Sequence, residues 1–209
     1  MAKIRLTKSE LKRQRENLKR FERFLPTLQL KKQQLQLEAR RVRAHLSEIE
    51  TEQENVRARA SRWLGLLNES AAVELEQILQ VDGLRVGTRN IAGLDTPVFE
   101  DLHFKQVPYD LFTTPLWYDA AMSDIRKLVE LSLRLKIMRE QAKLIEDELR
   151  TTTQRVNLFE KLMIPEAREN IRRIQITLGD QQTSAVGRAK MAKRKAEARV
   201  RAGNPYDTK

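Results

Sequence analysis

Two histidines, a run of alternating glutamates and one glycine-containing turn are the features of this 209-residue chain that could carry chemistry. Histidine binds metals or shuttles protons only with partners at defined spacing. His45 and His103 stand far apart, with no second ligand type at metal-binding distance in sequence, so each reads as an ordinary packed or solvated residue. Glu48, Glu50, Glu52 and Glu54 recur at every second position. On a helix that spacing spreads carboxylates around the axis, which makes a solvated surface rather than a convergent site. The stretch GTRNIAG lacks the lysine and the spacing of a phosphate-binding loop. Cysteine is absent, which excludes disulfides and thiolate metal sites and makes a reducing cytoplasm a permissive setting. The expectation is a chain that is not an enzyme and holds no cofactor or metal.

The elements that would carry these residues are mostly long helices. Stepping alternately three and four residues from Leu11 gives Leu18, Phe21, Leu25, Leu28, Leu35, Ala39, Val42, Leu46, Ile49, Val56, Ala60, Trp63 and Leu67, interrupted by Gln14, Lys32 and Gln53. A 3-4 repeat of this length marks a coiled coil, because two helices keep such a stripe buried only by supercoiling. At 1.5 Å per residue it would extend about 85 Å. A second seam runs from Leu128 through Leu131, Leu135, Met138, Ala142, Ile145, Leu149, Val156 and Phe159 to Met163, with Thr152 its polar member. Thr114 and Pro115 suit the start of that second helix, threonine as cap and proline in the first turn.

Between the seams, residues 75–112 hold three of the seven glycines and short β-prone runs. ILQV, GLRV and PVFEDLHF read as strands, with GTRNIAG as their turn-rich connection. The fold class expected is all-α dominated: a long antiparallel two-helix coiled coil with a short β-hairpin insertion at its closed end. Its parts are an N-terminal helix over 1–69, the insertion over 70–113, a C-terminal helix over 114–185 and a basic tail over 186–209. Folding the chain so that Leu67 faces Leu128 brings Met1 near Arg194 and sets Pro26 close to the level of Pro165.

The proline at 165 interrupts RVNLFEKLMIPEARENIRRIQITL, where the apolar spacing widens to 4-4-4 over Phe159, Met163, Ala167 and Ile171. Such a stutter locally unwinds a supercoil. With Pro26 nearby, a shared bend or splay is expected. Trp63 reads as core. Tyr109, Phe112, Trp117 and Tyr118 either plug the closed end or face a partner.

Charge is distributed by segment. Residues 1–45 carry 14 Lys+Arg against 4 Asp+Glu, 46–120 carry 6 against 13, 121–185 carry 12 against 10, and 186–209 carry 8 against 2. Both basic segments fall at the open end of the hairpin, where Lys3, Arg5, Lys8, Lys12, Lys190, Lys193, Arg194 and Lys195 are expected to gather. The tail has the composition of a disordered solvated end, or of a segment that binds nucleic acid or acidic proteins. The N-terminus lacks the apolar core of a signal peptide, and no apolar run approaches the roughly 20 residues that span a bilayer.

Three stretches in this order, RLTKSELKRQRENLKRF, TRNIAGLDTPVFE and RVNLFEKLMIPEARENIRRIQITL, resemble the D-subunit family of V-type and A-type rotary ATPases over nearly the whole chain. The middle one carries Thr88, Arg89, Asn90, Ile91, Gly93 and Pro97, matching the family's β-insertion motif. Departures are Leu6 where the family has proline before Thr7-Lys8, Pro26 within the first helix, and Lys31-Lys32-Gln33 in place of Lys-Arg-Asp. The resemblance implies a non-catalytic central rotor shaft. Its open end would enter a hexamer of A and B subunits, and its flank would bind the F subunit. Its closed end would stand on the ring-capping subunit (C, or d) at the cytoplasmic side of the membrane. The rival readings are a basic coiled-coil nucleic-acid-binding protein and a structural scaffold. The first has phosphate neutralisation behind it but no base-reading motif.

Overall fold

The computed structural model describes residues 4–65, 80–105, 115 and 117–202. Its elements are α1 (Lys8–Leu64), β1 (Val81–Ile91), β2 (Leu94–Phe104), α2 (Tyr118–Leu158), a π-helical turn (Phe159–Met163) and α3 (Ile164–Ala202). They form two compact units, one of residues 29–153 and one of residues 1–28 with 154–209.

In the first unit α1 and α2 run antiparallel. The buried seam includes Leu35, Ala39, Val42, Val56, Ala60 and Trp63 of α1 against Ala121, Leu131, Leu135 and Ile145 of α2. Ion pairs flank it: Lys31–Glu148 at 2.5 Å, Arg43–Glu146 at 2.6 Å, Arg139–Glu50 at 2.8 Å and Lys127–Glu52 at 3.3 Å. Glu50 and Glu52, expected to be merely solvated, thus help to align the two helices. Glu48 sits beside His45 and Glu54 beside Arg57, both at the surface.

The register differs from the expected one. With Leu67 opposite Leu128, Glu50 would face Ile145 and Trp63 would face Ser132. Instead Arg139 bonds Glu50, and the Trp63 indole donates to Asp124 at 3.2 Å. The offset, in both units, is roughly two to four helical turns. Its cause is that the α2 stripe does not begin at Leu128. It continues upstream through Ile125 and Ala121, which pack with Ala60 and Trp63, while Trp117 stacks on Trp63 at 6.4 Å. Trp63 is therefore core, as expected, and Tyr118 is buried beside it at 1% exposure. Tyr109 and Phe112, like Leu67, lie outside the described residues.

α2 itself begins at Tyr118, whose amide donates to the carbonyl of Pro115. Pro115 thus lies before the helix rather than in its first turn, and Thr114 falls outside the described residues. The N-terminus of α1 is capped by Thr7, whose hydroxyl accepts the Glu10 amide at 3.3 Å. The pattern Thr-x-x-Glu is that of a capping box.

The two strands pair antiparallel from Ile91↔Leu94 to Val81↔Phe104. GTRN, expected in the connection, belongs to β1, and the turn is only Ala92-Gly93, both with positive φ (51° and 80°). That geometry is a two-residue type I′ turn, whose twist matches the flanking strands. The hairpin also does not remain at the closed end. Its tip packs Ile91, Ala92 and Leu94 against Leu35, Ala39, Val42 and Ile145.

In the second unit, Phe21 meets Phe159 edge-on at 5.3 Å, and Arg168 bonds Glu22 at 2.8 Å. Ile164, Ala167, Asn170 and Ile174 are buried.

Leu35 is completely buried between α1, α2 and the hairpin tip, so Leu35→Glu should cost several kcal/mol in chemical denaturation. Leu149→Glu, at a half-buried position, should cost less. The Tyr118 hydroxyl is held above its ordinary value near 10.0, chiefly by burial and against the opposing pull of Arg126. Its contribution is complete below the unfolded value and is lost as pH rises through the folded one. Melting curves above pH 10 should therefore fall more gently in Tyr118→Phe than in the parent.

Candidate functional site

Neither histidine joins a reactive cluster. His45 lies 3.1 Å from Glu48 and His103 lies 3.0 Å from Asp101, each pair at the surface. Among the described residues no group of His, Cys, Asp and Glu could hold a metal. The candidate sites are surfaces, and three are distinct.

The first is the hairpin. Asn90 donates to Asp95 at 2.5 Å and accepts the Gly93 amide at 3.1 Å, so its side chain braces the turn from both sides. Gly93 is required by its positive φ. Ile91 is the residue of the motif that enters the core, at 7% exposure. Thr88 and Arg89 are exposed on β1, where Thr88 pairs with Pro97 of β2. The motif is thus brought together as one device that turns the chain and docks it on the helices.

What anchors the hairpin was not visible as a motif. Thr96, fully buried, donates to the Arg89 carbonyl at 3.0 Å and accepts from Gln141 of α2 at 3.2 Å. Arg134 lies 4.9 Å over the ring of Phe99, and Arg126 lies 5.7 Å over that of Phe104. Arg126, Arg134, Ile137 and Gln141 form a second stripe on α2, beside its seam. Three of the four are polar or charged, so a hydropathy pattern passes over them; the helical spacing 126-134-137-141 is the signal that could have found them.

The second surface is the basic one. Arg5, Lys8, Lys12, Lys190, Lys193, Arg194 and Lys195 are all exposed, and Lys3 lies outside the described residues. They do not gather at one place. Ile4 and Leu6 line an open groove of about 990 Å³ with Leu162, Pro165, Ile174 and Thr177 of the π turn and α3. Lys190 is 13 residues beyond Thr177, roughly 20 Å further along the helix. The register explains the separation, because the N-terminal residues reach only the level of Thr177. α3 remains helical to Ala202, yet every residue from Gly179 to Val200 is exposed. Lys12 and Lys193 have only loose ion pairs with Glu16 and Glu197, at 4.0 and 3.9 Å.

The third is the interruption around Pro165. The widened spacing becomes a π-helical turn, in which the Ile164 amide donates to the Phe159 carbonyl, five residues back. One extra residue in a turn keeps Phe159, Met163 and Ile164 on the inner side, which a regular helix could not do with that spacing. Pro165 follows directly and is exposed, as is Lys161. Pro26 is exposed too, inside an uninterrupted α1. In an antiparallel pair that meets at Phe21 and Phe159, Pro26 and Pro165 lie on opposite sides of that contact. Their separation along the axis is roughly 16 Å, so they do not share one level.

The D-subunit family of ATP synthases matches residues 10–194. The D subunit of a V-type ATP synthase from Borreliella burgdorferi is 42% identical over 193 residues, covering 92% of this chain and 95% of that protein. The V-type ATP synthase D subunits of Chlamydia felis and Chlamydia pneumoniae are 34% and 31% identical over 202 residues, covering 95% and 96% of this chain and 96% and 97% of theirs. No helix among the described residues is long and apolar enough to cross a membrane. From residues 10–194 and from relatives matched nearly end to end, the chain belongs to the ATP synthase D-subunit family and is a rotary ATPase component.

Proposed function

We propose that the chain is the central shaft of its complex and carries torque between a catalytic hexamer of A and B subunits and the membrane ring. The F subunit sits on its flank and the ring-capping subunit at its closed end, on the cytoplasmic side of the membrane. ATP is made or hydrolysed in the hexamer, and this chain supplies asymmetry and stiffness. The observation that carries this reading is the stretch 179–200, helical and exposed throughout. An isolated helix of this length gains little from propensity alone. Arg188, Lys190, Lys193, Arg194, Lys195 and Arg199 crowd it with positive charge. A surrounding sleeve supplies the partner that the described residues of the chain do not. Solvated charge contacts, each weak, can break and re-form as a shaft turns.

Replacing Lys190, Lys193, Arg194 and Lys195 together by Gln should weaken binding to the purified A/B hexamer, most strongly at low salt, and flatten its salt dependence. Salt-sensitive affinity for DNA with none for the hexamer would favour the nucleic-acid reading instead. A second test concerns the prolines. In an ordinary helix interior proline costs about 3 kcal/mol, but both sit at exposed positions and one follows a π turn. Pro26→Ala with Pro165→Ala should raise the melting temperature. In the reassembled complex the pair should lower rotation-coupled ATPase activity while leaving assembly intact. Raised stability with unchanged coupling would leave the prolines as tolerated interruptions.

A further inference from the structure

On one face of the hairpin, arginines of α2 lie over the β2 half, and the β1 half is left exposed. Val81, Leu84 and Val86 of β1 are 46%, 42% and 47% exposed. Side chains normally alternate along a strand, so residues 81 and 84 would point to opposite faces. The register shift between Val81 and Gly83 inserts one residue and brings Val81 into phase with Leu84 and Val86. The shift between Arg85 and Val86 does the same for β2, where Phe99 falls into phase with Leu102 and Phe104. The cross-strand pairs are then Val81↔Phe104, Leu84↔Leu102 and Val86↔Phe99, three apolar pairs on one face.

Each end of this face is bordered by a cation. Arg126 lies over Phe104 and Arg134 over Phe99. Arg134 is neutralised by Glu130 at 2.7 Å. Arg126 makes no ion pair with a carboxylate among the described residues. A half-exposed apolar strip bordered by a guanidinium that no carboxylate among the described residues pairs is complementary to a segment that is apolar on one side and acidic at its edge. The strip presents side chains rather than backbone edges, and from Val81 to Val86 it runs about 16 Å, roughly three turns of a helix.

We propose that this face of the hairpin docks an amphipathic helix of another subunit of the complex, with its apolar stripe on Val81, Leu84 and Val86 and an Asp or Glu at its margin facing Arg126. The proposal deepens the shaft reading and rests on it, since it requires a partner subunit at the hairpin. The shaft's grip on the hexamer and this contact are separate surfaces.

The test uses the full chain in the assembled complex, with a photoreactive p-benzoylphenylalanine in place of Leu84. Irradiation should join this chain to one other subunit, at a peptide with an apolar helical stripe and a carboxylate at its edge. Val86→Asp should lower the yield by about tenfold or more, because it places a charge against an apolar partner. Arg126→Gln should lower it several-fold and remove its salt dependence, whereas Arg126→Lys should retain both. Crosslinks confined to this chain, no crosslink, or a yield indifferent to Arg126→Gln would overturn the proposal. If the catalytic subunits co-purify with the chain while position 84 finds no partner, the docking idea falls and the shaft reading stands. If they do not co-purify, the shaft reading falls and takes this one with it.

Discussion

An apolar stripe on a helix is stable in water only when a second surface covers it, and each unit of this chain meets that requirement differently. In the unit of residues 29–153, α2 is covered on two sides. Its Leu131, Leu135 and Ile145 seam meets α1, and its Arg126, Arg134 and Gln141 stripe meets the hairpin. The first contact is driven by removal of apolar surface, which is not directional. The second is made of two arginine–phenylalanine contacts and one buried hydrogen bond, which depend on geometry. Burial of α2 against α1 is the condition for the rest, since the hairpin tip seats Ile91 and Leu94 in a cluster that both helices line.

That difference decides what could be read from the residues alone. The seams were legible because Leu, Ile and Val at a 3-4 interval have few other meanings, and GLRV and PVFEDLHF were legible as strands from their β-branched and aromatic runs, whereas Ile78 and Leu79 of ILQV lie outside the described residues. The register was not, because Ala121 and Ile125 extend the α2 stripe with a small residue where a large one would have advertised it. Nor was the path of the hairpin, since the residues that hold it are polar or charged and look like ordinary helix surface. The motif Thr88–Pro97 was found through its resemblance to a family, and the structure gives its physical content. Asn90 and Gly93 build the turn, Ile91 inserts, and Thr96, unremarked in the sequence, forms the buried hydrogen bonds.

The π turn shows a local irregularity written in spacing rather than in residue type. Phe159, Met163, Ala167 and Ile171 are four apart, an interval too wide for a straight α-helix to keep on one side. Inserting a residue into one turn restores the phase, after which Ala167 and Ile174 are buried again. Proline is then less disruptive than usual. A turn bonded to the fifth residue has already changed which carbonyls need donors, and Lys161 and Pro165 are both exposed, where water can serve a freed carbonyl. A π turn stands where the widened spacing led one to expect local unwinding. Its alignment with Pro26 failed for the same reason as the basic cluster, namely the register.

The exposed end of α3 follows from the opposite condition. Up to Leu178 the helix has apolar residues at seam intervals and residues 4–28 to meet them, and beyond it the same interval runs through Gln181 to Ala185, Ala189, Ala192 and Ala196, all exposed. Alanine favours a helix without supplying much surface to bury. A sequence selected only for internal pairing would either continue the large apolar stripe or end. Residues 185–199 do neither and combine alanine with lysine and arginine, the composition that the proposed sleeve contact calls for. Alanine thus favours this helix and charge solubilises it, but no apolar seam holds it as one holds the remainder of its unit.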